Sequence, residues 1–178
     1  MKAQIVKISV VLFFSIGFVS MGRAQGTASP DYETVKETIE QSIGWAIEKD
    51  FDAMFRLWDD NMFHFWLFSD SKVVGLDSFK IYSKQWEDPD FRGTRFEFKD
   101  LRIVFSQSGE VAWYSCFLDD CGSYKGKESC LENVFQTGVL EKRDGLWRHV
   151  QIHGSYPVDK IPENYVRHFY SGLFEEQE

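Results

Sequence analysis

The chain has 178 residues, 43% hydrophobic, 27% charged and 17% aromatic, which excludes a disordered or collagen-like polymer and leaves room for one domain with a sizeable core. Acidic residues outnumber basic ones by 28 to 20, and the resulting net charge of −8 argues against a sequence-independent grip on nucleic-acid phosphates.

Residues 1–24 have the layout of a signal peptide: Lys2 and Lys7, an apolar run from Ile8 to about Met21, then Gly22-Arg23-Ala24 with small residues where a peptidase cuts. The run is shorter than the roughly 20 residues that span a bilayer, which favours a cleaved leader over an anchor helix. No cysteine follows it, so no lipoprotein is indicated. Cleavage would remove Lys2, Lys7 and Arg23 and no acid, taking the net charge from −8 to −11. The expectation is an exported protein, periplasmic or secreted, free of the membrane once cut, with 25–31 as a linker and 32–157 as the folded domain.

Beyond Ala28-Ser29-Pro30-Asp31, which carries helix-start chemistry, Val35, Ile39, Ile43, Ala46 and Ile47 share one face of an amphipathic helix from Tyr32 to Lys49. A short second helix is expected from Phe51 to Asp59, with Met54, Phe55, Leu57 and Trp58 inward and Asp52 near its positive end. Met62 to Phe68 is apolar on both parities and reads as a strand buried on both faces. A third helix is expected from Leu76 to Glu87, stopped by Asp88-Pro89-Asp90. From there the period changes to two. Thr94–Ser106, Val111–Asp119, Glu128–Arg143 and Trp147–Tyr156 read as strands, divided at Ser108-Gly109, Gly122 to Gly126 and Asp144-Gly145. Connections this short make neighbours antiparallel, and helices first with a curved sheet after is an α+β arrangement. The tail 158–178 is compatible with a short docked helix ending in a frayed Glu175-Glu176-Gln177-Glu178.

Export permits disulfides, and three cysteines lie close together at Cys116, Cys121 and Cys130. A hairpin centred on Lys125-Gly126 sets Cys121 opposite Cys130, the expected disulfide, and Cys116 opposite Phe135 as a buried thiol. Three reduced core cysteines are the alternative. Neither a C-x-x-C pair nor an H-E-x-x-H run is present, so neither metal nor cofactor is expected.

The order of elements, together with Asp100-Leu101-Arg102-Ile103-Val104 leading to Gly109-Glu110-Val111-Ala112-Trp113, the run from Thr137 to Trp147, and Gln151-Ile152-His153-Gly154-Ser155, resembles the SnoaL-like branch of the superfamily that holds nuclear transport factor 2, ketosteroid isomerase and polyketide cyclases. The resemblance covers about Tyr32 to Pro157. It implies a cone-shaped, curved antiparallel sheet packed on three N-terminal helices, the cystatin-like, nuclear transport factor 2-like fold. That fold serves many activities. The positions matching the isomerase's proton-shuttling aspartate, oxyanion-hole tyrosine and oxyanion-hole acid fall at Phe65, Ser42 and near Thr137, and none of those residue types is kept. Phe65 cannot move a proton, so the match disfavours steroid isomerisation.

Strand alternation in the same hairpin register would set Trp113, Ser115, Phe117, Asp119, Glu132, Val134, Gln136 and Gly138 on one face. A two-residue turn at Asp144-Gly145 would bring Trp147, His149, Gln151, His153 and Ser155 to it, with Trp58, Phe63, Phe65 and Trp86 opposite. Such an aromatic wall with a few polar groups suits a small apolar ligand. The expected ligand-binding set is Trp58, Phe63, Phe65, Trp86, Trp113, Ser115, Gln136, Gln151 and His153. His153 is the candidate acid or base, its imidazole titrating near neutrality, or else a satisfied core histidine. Asp119 and Glu132 would face each other as a proton-sharing pair or as a solvated rim. His149 reads as surface and His64 as packed. Tyr114, Leu118, Phe135, Val139, Val150 and Ile152 would form an outer face suited to a homodimer. Two functions follow: an exported module binding a small apolar molecule, or a cofactor-independent acid/base enzyme of isomerase, cyclase or hydrolase type using His153.

Overall fold

The computed structural model describes residues 29–65, 72–157 and 160. The expected leader, most of the linker and nearly all of the tail lie outside the described residues.

Helix α1 (Tyr32–Glu48) buries Val35, Thr38, Ile39, Ser42 and Trp45, spaced three or four apart so that they form one stripe. It ends where Lys49 turns left-handed (φ 57°) and its N–H bonds back to the Trp45 carbonyl. The Asp50 carboxylate then accepts from the Ala53 N–H at 2.8 Å, capping α2 (Phe51–Arg56). That helix is shorter than its sequence suggests. Leu57 leaves it because its carbonyl accepts from the His149 N–H at 2.7 Å, and Trp58, expected on the helix, instead opens strand β1 (Trp58–Phe65). A long-range backbone bond here overrides local helix propensity.

Strand β1 is buried on one parity rather than both. Met62 (0%) and His64 (6%) point inward, while Phe65 is 40% exposed. Residues 66–68 of that expected strand lie outside the described residues. A two-residue strand, β2 (Val73–Val74), precedes helix α3 (Leu76–Tyr82), which tightens into a 3₁₀ turn over Ser83–Glu87.

Four long strands follow, β3 (Phe91–Phe105), β4 (Val111–Tyr124), β5 (Lys127–Arg143) and β6 (Leu146–Ser155). The six strands form one curved sheet in the order β2-β1-β6-β5-β4-β3, antiparallel except for the β1–β6 pair. Helix α1 lies across β3 and β6, and α3 against β1 and β2. The hairpins turn on Lys125-Gly126 (φ 51°, 74°) and Asp144-Gly145 (φ 51°, 79°), paired positive φ values that match the strand twist.

Both turns have the expected two residues, yet bulges change what faces inward. Near its turn the β4–β5 register is the expected one, and Cys121 is disulfide-bonded to Cys130. Between Leu118 and Asp120, however, Asp119 opposes both Glu132 and Asn133, with Asn133 left-handed at φ 60°. Beyond this bulge Cys116 pairs with Gln136, not Phe135, and remains a buried thiol whose pKa burial pushes up to about 12. A second bulge sets Val139 opposite Gln151 but Leu140 opposite His149, making Val150 the extra residue. Side chains alternate, so each one-residue slip exchanges faces. Tyr114, Leu118 and Ile152, expected outside, are buried at 3%, 0% and 3%, while Trp113 and Phe117, expected inside, are 46% and 41% exposed.

Candidate functional site

A cavity of about 80 Å³, open to solvent at one side, lies between the helices and the inner face of the sheet. Helix α1 supplies Ser42, Ile43, Trp45 and Ala46, β1 supplies Trp58 and His64, and α3 with its 3₁₀ turn supplies Phe79 and Trp86. The sheet closes it with Phe91, Gly93, Asp120, Cys121, Gly122, Gln136 and Ile152. The aromatic wall is continuous: Trp45 is 5.4 Å from Trp86, Trp86 is 6.2 Å from Phe79, and Phe79 is 4.8 Å from Trp58.

Three of the expected ligand-binding residues, Trp58, Trp86 and Gln136, meet here. The others do not. Phe63 is half-buried on β1 outside the lining, and Phe65 packs against His153 at 6.1 Å. Trp113, Ser115 and Gln151 line a shallow outer groove of about 570 Å³ with Arg102, Val104, Thr137 and Val139. His153 pairs with Thr137 and is exposed on that side, because of the Val150 bulge. Asp119 forms no carboxylate pair with the exposed Glu132. Its oxygen accepts from Lys99 Nζ at 2.7 Å and from the Asn133 N–H at 2.8 Å. Burial alone would raise its pKa, but these bonds, with the Lys99 and Arg95 charges, outweigh it and hold the carboxyl below the usual range.

Gln136 leads to two buried polar groups missing from the expected set, Tyr114 and His149, which lie outside the lining. Gln136 is fully buried, and its Nε2 donates to the Tyr114 hydroxyl at 2.7 Å. Desolvation pushes the Tyr114 pKa up, so the phenol stays protonated. Its ring lies over Gly138, where a Cβ would come within 2.5 Å of a ring carbon, so only glycine admits it. His149, expected at the surface, is 0% exposed; its Nε2 lies 3.2 Å from the Thr38 carbonyl, which can only accept, so this nitrogen carries the proton. Burial lowers its pKa to about 4, against the Thr38 bond that favours the charged form. His64, in the cavity wall between Trp58 (5.8 Å) and Phe79 (5.7 Å), is likewise lowered to about 4, by burial and then by the His149 charge. At neutral pH both imidazoles are neutral. Among the described residues no lysine or arginine lines the cavity, and no group of three His, Cys, Asp or Glu converges to hold a metal.

The sequence signal for His64 was available: it lies two residues from Met62 on a strand of alternating burial. His149 could be placed only with the second bulge known.

The model of the SnoaL-like domain family matches residues 35–159. The chain belongs to that family. Among solved structures, this SnoaL-like domain is similar to a protein assigned as a scytalone dehydratase from Novosphingobium aromaticivorans, at 14% identity and TM-score 0.62, over 70% of this chain and 82% of that one. It is also similar to one assigned as a ketosteroid isomerase from Parabacteroides distasonis, at 19% identity and TM-score 0.56, over 75% and 90%. A third, a nuclear transport factor 2-like protein with a cystatin-like fold from Novosphingobium aromaticivorans, matches at 14% identity and TM-score 0.56, over 74% and 84%. At such identities the likeness concerns the fold. A search of curated proteins found no match.

Proposed function

We propose that this SnoaL-like domain is an exported binding module that holds a small, largely apolar molecule in the inner cavity. The observation that carries the reading is the composition of the wall: aromatic rings around a few polar groups, the buried ones uncharged and Asp120 the carboxylate among them, the pattern of a small-molecule site. The isomerase positions support binding over steroid isomerisation, since Phe65 stands where the proton-shuttling aspartate would be and lies outside the cavity lining. Export is supported by the leader-like residues 1–24 and by the Cys121–Cys130 disulfide, a bond at home in an oxidising compartment. Among the described residues no helix is long and apolar enough to cross a membrane. A homodimer through the outer sheet face is part of the reading, with Trp113 and Phe117 joining the expected Phe135 and Val139 in place of the inward Tyr114, Leu118 and Ile152.

Native mass spectrometry of the protein expressed with its own leader tests this. A chain beginning at Gln25, two hydrogens light and carrying an extra mass released on denaturation, is the expected outcome. A chain retaining residues 1–24 would overturn export, and failure to retain any small molecule from a panel of apolar compounds would overturn the binding reading.

A second reading, a cofactor-independent acid/base enzyme, is favoured by one observation. His153 is outside the cavity, but His64 is in its wall, an imidazole placed where a bound molecule would meet it. Turnover lost in His64→Gln with ligand affinity kept would establish this reading over the first.

A further inference from the structure

We propose that the molecule held in the inner cavity carries a hydroxyl group, taken by the Gln136 carboxamide and the Trp58 indole N–H. The inference rests on the cavity-binding reading above and names the polar half of that ligand.

Gln136 uses one end of its carboxamide on Tyr114, at 2.7 Å, and its Oε1 has no hydrogen-bond partner among the described residues. Trp58 is 3% exposed and its Nε1 is likewise without a partner. Both residues line the same cavity. Folded proteins seldom leave buried polar atoms unpaired, because each then bears its full desolvation penalty. Two such atoms on residues of one wall, an acceptor and a donor, describe their complement: a neutral group that both donates and accepts. A hydroxyl is the smallest that does so. It would also serve the amide turned end for end, by accepting from the N–H instead.

Charge points the same way. Among the described residues of the lining, a carboxylate or phosphate would meet no lysine or arginine, one neutral imidazole, that of His64, and the Asp120 side chain on β4. Size limits the rest of the molecule. At about 80 Å³ the cavity is smaller than the 300–1,000 Å³ of sites for drug-sized ligands. A single ring reaching toward the solvent mouth, or a short chain, is what the walls of Trp45, Phe79, Trp86 and Phe91 can cover. The ligand class is therefore a small phenol or short alcohol.

Phenol and toluene are the probes, titrated calorimetrically into the full chain. Toluene is the more apolar, so burial alone favours it; the inference expects phenol to bind about tenfold tighter. In Gln136→Met the preference should fall to about twofold or less with toluene binding kept. The indole N–H resonance that disappears in Trp58→Phe should move on adding phenol and not toluene, a readout on the unaltered chain that stands even if Gln136→Met does not fold. Equal binding of the two probes, an undiminished phenol preference in Gln136→Met, or an unmoved Trp58 resonance would overturn the hydroxyl assignment and leave the apolar-cavity reading intact. Binding of neither probe would overturn both and leave the two polar atoms to water.

Discussion

His64 and His149 are imidazoles held away from water, and that burial costs the folded molecule stability in acid. Each has an ordinary pKa near 6.5, lowered in the folded chain to about 4 chiefly by burial. Between those values the unfolded chain binds protons that the folded chain refuses, so stability is full above about pH 6.5 and falls as the pH drops toward 4. The loss is about 1.4 kcal/mol per pH unit for each histidine, roughly 3 kcal/mol each across the interval. Urea midpoints should therefore drop between pH 7 and 5, and less steeply in His64→Phe; a flat profile would contradict the burial argument. Gly138 makes a second prediction. Its neighbour Tyr114 occupies the space a methyl group would need, at 2.5 Å, and Tyr114 in turn holds Gln136. Gly138→Ala should cost about 1–3 kcal/mol of unfolding free energy and lower the affinity of any cavity ligand, because the ring must shift. Thermal melts and a titration of the same sample would check both.

At the scale of the element, the two bulges do most to place the site. The Asp119 bulge is held by a small network: its carboxylate takes the Lys99 ammonium and the Asn133 N–H, and Lys99 also donates to the Asn133 side chain at 2.7 Å. Asp119→Ala removes the acceptor common to two donors, one charged, and is expected to destabilise by about 1.5–3 kcal/mol in urea unfolding at neutral pH. Lys99→Met should cost less, since the backbone bond survives. If Asp119→Ala unfolds at the wild-type urea concentration, the bulge is stabilised by strand pairing alone. The bulge's consequence is legible in the contacts beyond it. Tyr114, Cys116 and Leu118 point in with Gln136 and Gly138, which is why the hydroxyl–carboxamide bond exists. The strands themselves, their hairpin turns and the disulfide pairing were readable from alternation and turn residues. Which half of each strand faces inward was not, because a bulge needs only one residue, and neither the Glu132-Asn133 pair nor Val150 stands out from the alternation around it.

For the whole molecule, the sheet has two unlike faces. The inner face is covered by helices, whereas the outer one leaves Trp113 (46%), Phe117 (41%) and Phe135 (44%) exposed, with the Phe117 and Phe135 rings 5.9 Å apart. Exposed aromatics this close favour burial against a second surface. Under the homodimer reading, sedimentation at micromolar concentration should give a dimer for the unaltered chain and a monomer for Trp113→Glu/Phe135→Glu, with the fold retained by circular dichroism. A monomer in both cases would reject the dimer while leaving the inner cavity unaffected, since none of these residues lines it.

Composition, periodicity and turn residues sufficed by themselves for the α+β class, the four long strands, the Cys121–Cys130 pair and the buried thiol at Cys116. These depend on short-range patterns: which residues alternate, which follow at three or four, which tolerate positive φ. The cavity was only partly readable. Trp58, Trp86 and Gln136 were recognisable as aromatic or polar groups near the inner face, but His153 and Trp113 exchanged places with His149 and Tyr114. Only the tertiary structure decided that exchange, because strand parity is carried across the sheet by pairing, and a single unpaired residue reverses every side chain beyond it.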